Sequence, residues 1–92
     1  MGGRGTMTST DFEKLPREKK CKYVWNRCNF LATRFHHDQQ RRFRINLYHN
    51  GRFFVEIWYN SKYDYIGDIF SFTDTKLLDP YLEGIRLKTY QE

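Results

Sequence analysis

Residues 41–60, RRFRINLYHNGRFFVEIWYN, alternate apolar and polar side chains on both sides of an Asn50-Gly51 pair, and this pattern limits the possible folds more than any other feature. A period of two is that of a β-strand, whose side chains point to opposite faces in turn, and Asn-Gly is the common signal for a tight hairpin turn. Strands are therefore expected at about residues 41–48 and 52–59. A two-residue loop would set Ile45 opposite Glu56 and Arg44 opposite Ile57, mixing polar and apolar groups on both faces, whereas register is normally held by one apolar face. A three-residue loop, His49-Asn50-Gly51, with Gly51 in the left-handed bulge position, separates them. One face then pairs Phe43 with Ile57, Ile45 with Val55 and Leu47 with Phe53. The other pairs Arg42 with Trp58, Arg44 with Glu56, Asn46 with Phe54 and Tyr48 with Arg52. The three-residue loop is the expected register, with the first face as core.

The rest of the chain supplies partners for this hairpin. Ser9 or Thr10 is suited to cap a first helical turn carrying Asp11 and Glu13 near its positive end. Pro16 fits the first turn of a longer helix, which should end near Cys28. Its apolar stripe is Cys21, Val24, Trp25 and Cys28, extended by Phe12 and Leu15. Residues 29–35 read as a strand, followed by a polar turn over 36–40. A fourth strand is expected at 65–72, where both faces receive apolar residues unless a bulge at Gly67 brings Ile66 and Ile69 to one side; Phe70 and Phe72 then join the face of Trp58. Asp74 is a helix cap before TKLL, and a helical restart at Asp79-Pro80 ends by Gly84. Short connections require antiparallel pairing. The predicted fold is α+β: an N-terminal helix packed on a four-stranded antiparallel β-meander, with a short C-terminal helical segment. Residues 9–88 form the domain, 1–8 a disordered extension and 89–92 a tail.

Composition sets the partners within reach. A chain of 92 residues fits one thin-cored domain, which buries about 60–65% of its unfolded surface. The 16 Lys and Arg against 11 Asp and Glu are unevenly placed, with eleven basic and four acidic residues in 1–45 and five and seven in 46–92. The basic front half suits an anionic partner, though PREKKCKYVWNR also has the composition of a solvated helix face. Cys21 and Cys28, seven residues apart on one helix, are beyond disulfide reach. With no apolar run of membrane length or signal peptide, the expectation is a reduced, cytoplasmic protein without a membrane partner. Cys21, Cys28, His36 and His37 match no zinc spacing, so neither a metal nor another cofactor is expected. MGGRGT fits the short N-myristoylation pattern weakly, and residues 1–6 read as an extension ahead of Met7.

The stretches FEKLPxExK before YVW, then FLATR, INLY, FFVEIWYN and the ending YLEGIRL resemble a group of short bacterial proteins of unknown function over about residues 12–87. The resemblance implies a recurring compact α+β unit and carries no activity or ligand residues.

Function is then a question about the second face of the hairpin, on which the expected register places Tyr48, Phe54, Trp58, Arg42 and Arg44. The leucines and isoleucine of the C-terminal segment, at 77, 78, 82, 85 and 87, offer a cover for it, since large bare apolar patches are uncommon on monomers. Left open, its rings and arginines are the residue types of protein interfaces. The same face also suits single-stranded nucleic acid, with Tyr48, Phe54 and Trp58 stacking bases and Arg42, Arg44 and Arg52 meeting phosphates, although no RNP1-like octamer, GXXG loop or zinc knuckle is present. Histidines 36 and 37 beside Asp38 have no nucleophile placed near them, and no phosphate loop or carboxylate pair is visible, so no enzyme is expected. The reading is a non-catalytic protein-interaction module, with a protein partner or a homodimer, and the nucleic-acid role as the alternative.

Overall fold

The computed structural model describes residues 6–62 and 65–81. Two helices, α1 (Ser9–Glu13) and α2 (Arg17–Arg27), precede four strands, β1 (Asn29–Asp38), β2 (Arg41–His49), β3 (Phe54–Asn60) and β4 (Tyr65–Phe72). A 3-10 turn, Thr75–Leu78, follows, with Asp74 accepting from the Lys76 N–H at its start. The strands pair antiparallel in chain order, the meander expected. Thr8, rather than Ser9 or Thr10, caps α1 in a reciprocal capping box with Asp11. Pro16 stands at the N-cap of α2 instead of inside it, and the helix stops at Cys28 as predicted. Residues 82, 85 and 87, and the end of the helical restart, lie outside the described residues.

The helices cover one face of β3 and β4. Phe12, Val24, Phe53, Val55 and Ile57 are almost fully buried there, together with Cys21 and Ile69, and each such side chain contributes about 1.5–3 kcal/mol by leaving water. Trp25 departs from the predicted stripe, lying 58% exposed. Polar contacts tie α1 to β4: Glu13 accepts from the Ser71 N–H and hydroxyl at 2.7 and 2.6 Å. Arg17 donates to the Ile66 and Gly67 carbonyls at 2.7 and 3.0 Å. Gly67 sits at a bulge that brings Ile66 and Ile69 to the helix face and sends Phe70 and Phe72 to the other, as the alternation anticipates.

The β2–β3 register is a correction. Phe43 pairs with Asn60, Ile45 with Trp58 and Leu47 with Glu56, three residues from the predicted pairing. Ile45 and Val55 consequently lie on opposite faces. The loop holds four residues, 50–53, because the Asn50 carboxamide accepts from the Arg52 and Phe53 N–H groups at 2.8 and 3.0 Å. Gly51 takes φ +98°, and the Asn50 amide donates to the Tyr23 hydroxyl at 2.8 Å. Phe53 thereby leaves the ladder and enters the core, 5.6 Å from the Phe12 ring. Ile45 and Leu47 are buried on the far face, 0% and 3% exposed. The sheet has apolar groups on both sides, so the demand for one apolar face does not apply.

The β1–β2 turn is also tighter than expected. β1 continues through His36, His37 and Asp38, and only Gln39 and Gln40 turn, Gln39 with φ +45°. His36 and His37 are strand residues on opposite faces, rather than members of a polar loop.

Candidate interaction surface

Register divides the five predicted binding residues between two faces. Trp58 and Phe54 stand on the far face. The Trp58 indole donates to Glu56 Oε1 at 3.1 Å and packs against the rings of Phe43, His36 and Phe70 at 5.3, 5.5 and 6.1 Å. Phe54 lies between His49 and Phe72 at 4.4 and 5.3 Å. These rings stabilise one another in tilted and edge-on pairs and, for Phe54 and Phe72, a stacked one, each worth about 0.5–1.5 kcal/mol beyond the area buried.

Tyr48, Arg42 and Arg44 stand on the helix face. The predicted cation over an indole and the Arg–Glu56 ion pair both exist, but Arg34 of β1 makes them. Its guanidinium lies 5.7 Å from the Trp58 ring and 5.2 Å from that of Tyr81, and Nη2 is 3.4 Å from Glu56 Oε2. The Tyr81 hydroxyl donates to the same oxygen at 2.7 Å. Burial, and then the adjacent carboxylate, push the Tyr81 phenol well above its ordinary range. Arg34, Glu56 and Tyr81 therefore form a charged, hydrogen-bonded cluster under an aromatic cover, and Tyr81 fastens the C-terminal segment to the far face. The sequence reading misses Arg34 and Tyr81. For Arg34 the available signal was its period-two position in FLATRF, which needs the short Gln39-Gln40 turn to place it beside Ile45.

The helix layer leaves the β1–β2 half of its own face uncovered. Phe35 is 69% and Phe30 56% exposed there, and Leu31, at a bulge in β1, is 51% exposed. The Phe30 ring meets Tyr48 edge-on at 5.8 Å. Arg44 lies over the Tyr59 ring at 4.7 Å, and Thr33 donates to Asn46 at 2.9 Å. Strand alternation puts His37, Arg42 and Arg44 on this half and sends Glu56 and Asp68 to the far face. Among the described side chains, this half-face carries cations and rings but no carboxylate.

Neither cysteine is set up as a thiolate nucleophile. Cys21 is buried and Cys28 half-buried, both as free thiols. Burial raises the first and pushes Cys28 up to about 11, so neither is a thiolate near neutrality. His36 is packed against the rings of Phe43 and Trp58 on the far face of the sheet. No family model matches this chain, and no curated protein or solved structure matches it either.

Proposed function

We propose that this chain is a non-catalytic protein-interaction module that meets its partner along β1 and the uncovered half of the helix-side face. The observation that carries the reading is the exposure of Phe30, Leu31 and Phe35 along one edge strand. An edge strand offers backbone donors and acceptors in a row, and exposed rings beside it add apolar area to whatever pairs there. Tyr48, Arg42 and Arg44 belong to this surface. Phe54 and Trp58 do not, and their half-buried rings support the sheet from behind. Nucleic acid is disfavoured because the rings are not laid out as a stacking platform: Phe30 and Tyr48 meet at 73°, and Arg44 occupies a face of Tyr59.

The test is a photo-crosslinking residue placed at position 35, with position 62 as an exposed control, in the cells that make the protein. A discrete polypeptide adduct at 35 and none at 62 is the expected result. An adduct removed by nuclease, or equal labelling at both positions, would overturn the proposal.

A further inference from the structure

We infer that the partner is an acidic, extended peptide segment that adds to β1 as a fifth strand; this rests on the interaction reading above and names its ligand. The two sheet edges are treated differently by the chain. On β4, Arg17 occupies the Ile66 and Gly67 carbonyls, Glu13 occupies the Ser71 N–H, and the bulge at Gly67 breaks the ladder. These are the devices by which proteins seal an edge against further pairing. β1 runs ten residues; its own bulge lies near the start, at Leu31, and from Ala32 to Asp38 the ladder is continuous, with no side chain among the described residues capping its outer edge. The open edge is also the one bordered by the exposed Phe30 and Phe35.

Charge selects the occupant. A strand laid beside β1 would sit about 4.8 Å from it, so every second side chain of the newcomer would lie over the half-face. There it would meet His37 and Phe35 on β1 and, one strand further in, the exposed Arg42 and Arg44. Cations with no carboxylate among the described side chains favour an acidic partner, and alternating rings and cations favour one in which apolar and acidic residues recur on the same side. A second copy of this chain is a poorer fit. It brings the same cations to the seam, and antiparallel self-pairing centred on Arg34 sets two guanidiniums against each other, which is destabilising.

The experiment is an NMR titration of the labelled full chain with a synthetic peptide of about ten residues that alternates pairs of Glu and Val or Phe. Three companion peptides carry Lys for Glu, N-methyl groups on one set of alternate backbone nitrogens, or N-methyl groups on the other set. The acidic peptide should slow exchange of alternate β1 amides, and one N-methyl set should abolish binding while the other is tolerated. The double variant Arg42→Glu with Arg44→Glu, shown by circular dichroism to be folded, should weaken binding by about tenfold or more, as should raising the salt severalfold, since exposed charges are screened within about 10 Å at 0.1 M. Equal binding of the lysine peptide, indifference to both N-methyl sets, or no shift at β1 with the acidic peptide would overturn the inference. A β1-dependent dimer, lost in Phe35→Ser, would overturn the acidic-strand inference while leaving the interaction module standing. Displacement by a single-stranded oligonucleotide would overturn both.

Discussion

Replacing Tyr81 by Phe tests the cluster that fastens the C-terminal segment to the sheet. The substitution removes one hydroxyl and keeps the ring, so the packing over the Arg34 guanidinium at 5.2 Å remains and no cavity forms. The lost contact is a 2.7 Å hydrogen bond to a carboxylate that is 9% exposed, a class that contributes about 1.5–3 kcal/mol. Glu56 keeps the Trp58 indole at 3.1 Å and Arg34 at 3.4 Å, which moves the expected cost to the lower end, about 1.5–2 kcal/mol. For a domain of this size that is a fall in Tm of about 10 °C. Urea unfolding followed by tryptophan fluorescence measures it, because Trp58 shares the carboxylate. In a Glu56→Gln background the acceptor is neutral, so the same substitution should cost only about 0.5–1.5 kcal/mol. A Tyr81→Phe variant within about 0.5 kcal/mol of the parent, the size of an ordinary surface substitution, would refute the account.

Ile45→Val and Val55→Ala should be additive to within about 0.3–0.5 kcal/mol, because the side chains lie on opposite faces; a coupling energy well above that in a double-mutant cycle would mean that they touch. Gly51→Ala should cost about 1–2 kcal/mol through the backbone alone, since φ is +98° and an added Cβ meets nothing within 4 Å; an unchanged unfolding midpoint would contradict that geometry. Burial opposes ionisation of Glu13, but the Ser71 bonds outweigh it and hold its carboxyl below the ordinary 4.5. Its contribution is present above that pH and is lost as the pH falls from there through the lower folded value, because the unfolded carboxyl binds its proton first. Acid titrations of stability should therefore flatten in Ser71→Ala, and identical curves would show that the contact is inert. Cys28 should resist iodoacetamide in the native protein at about pH 8 and react once urea exposes it; rapid native labelling would contradict its protonated, half-buried state.

Much of the fold was legible because local rules and tertiary packing agree there. β4 occupies the predicted residues, the Gly67 bulge sorts its side chains as the alternation requires, and short connections leave no alternative to a meander. The register was not legible because it depends on a loop whose bonds come from one carboxamide, and on two apolar covers where the pattern of one hairpin suggests a single core. Ile45 and Leu47 serve the far cover, while Val55 and Ile57 serve the helices. The arginine contacts were right in kind and wrong in donor: an Arg over Trp58 and beside Glu56 follows from chemistry, but the choice of Arg34 depends on how β1 is paired. The exposed rings of Phe30 and Phe35 were hidden for the related reason that helix coverage stops at β3.

The segment between β2 and β3 acts as a counter of odd and even. If one residue were removed from 50–53 and the loop re-formed with four residues, it would draw in Phe54 and exchange the destinations of every following side chain on β3. Glu56 would then be driven beneath the helices among Val24 and Phe12, and Val55 would arrive where a guanidinium and a phenol await an acceptor. Point changes within that loop can be absorbed, but a single-codon deletion there must close the strands on a shorter loop that gives up its present carboxamide bonds, unfold the domain, or leave an unneutralised carboxylate in its driest compartment.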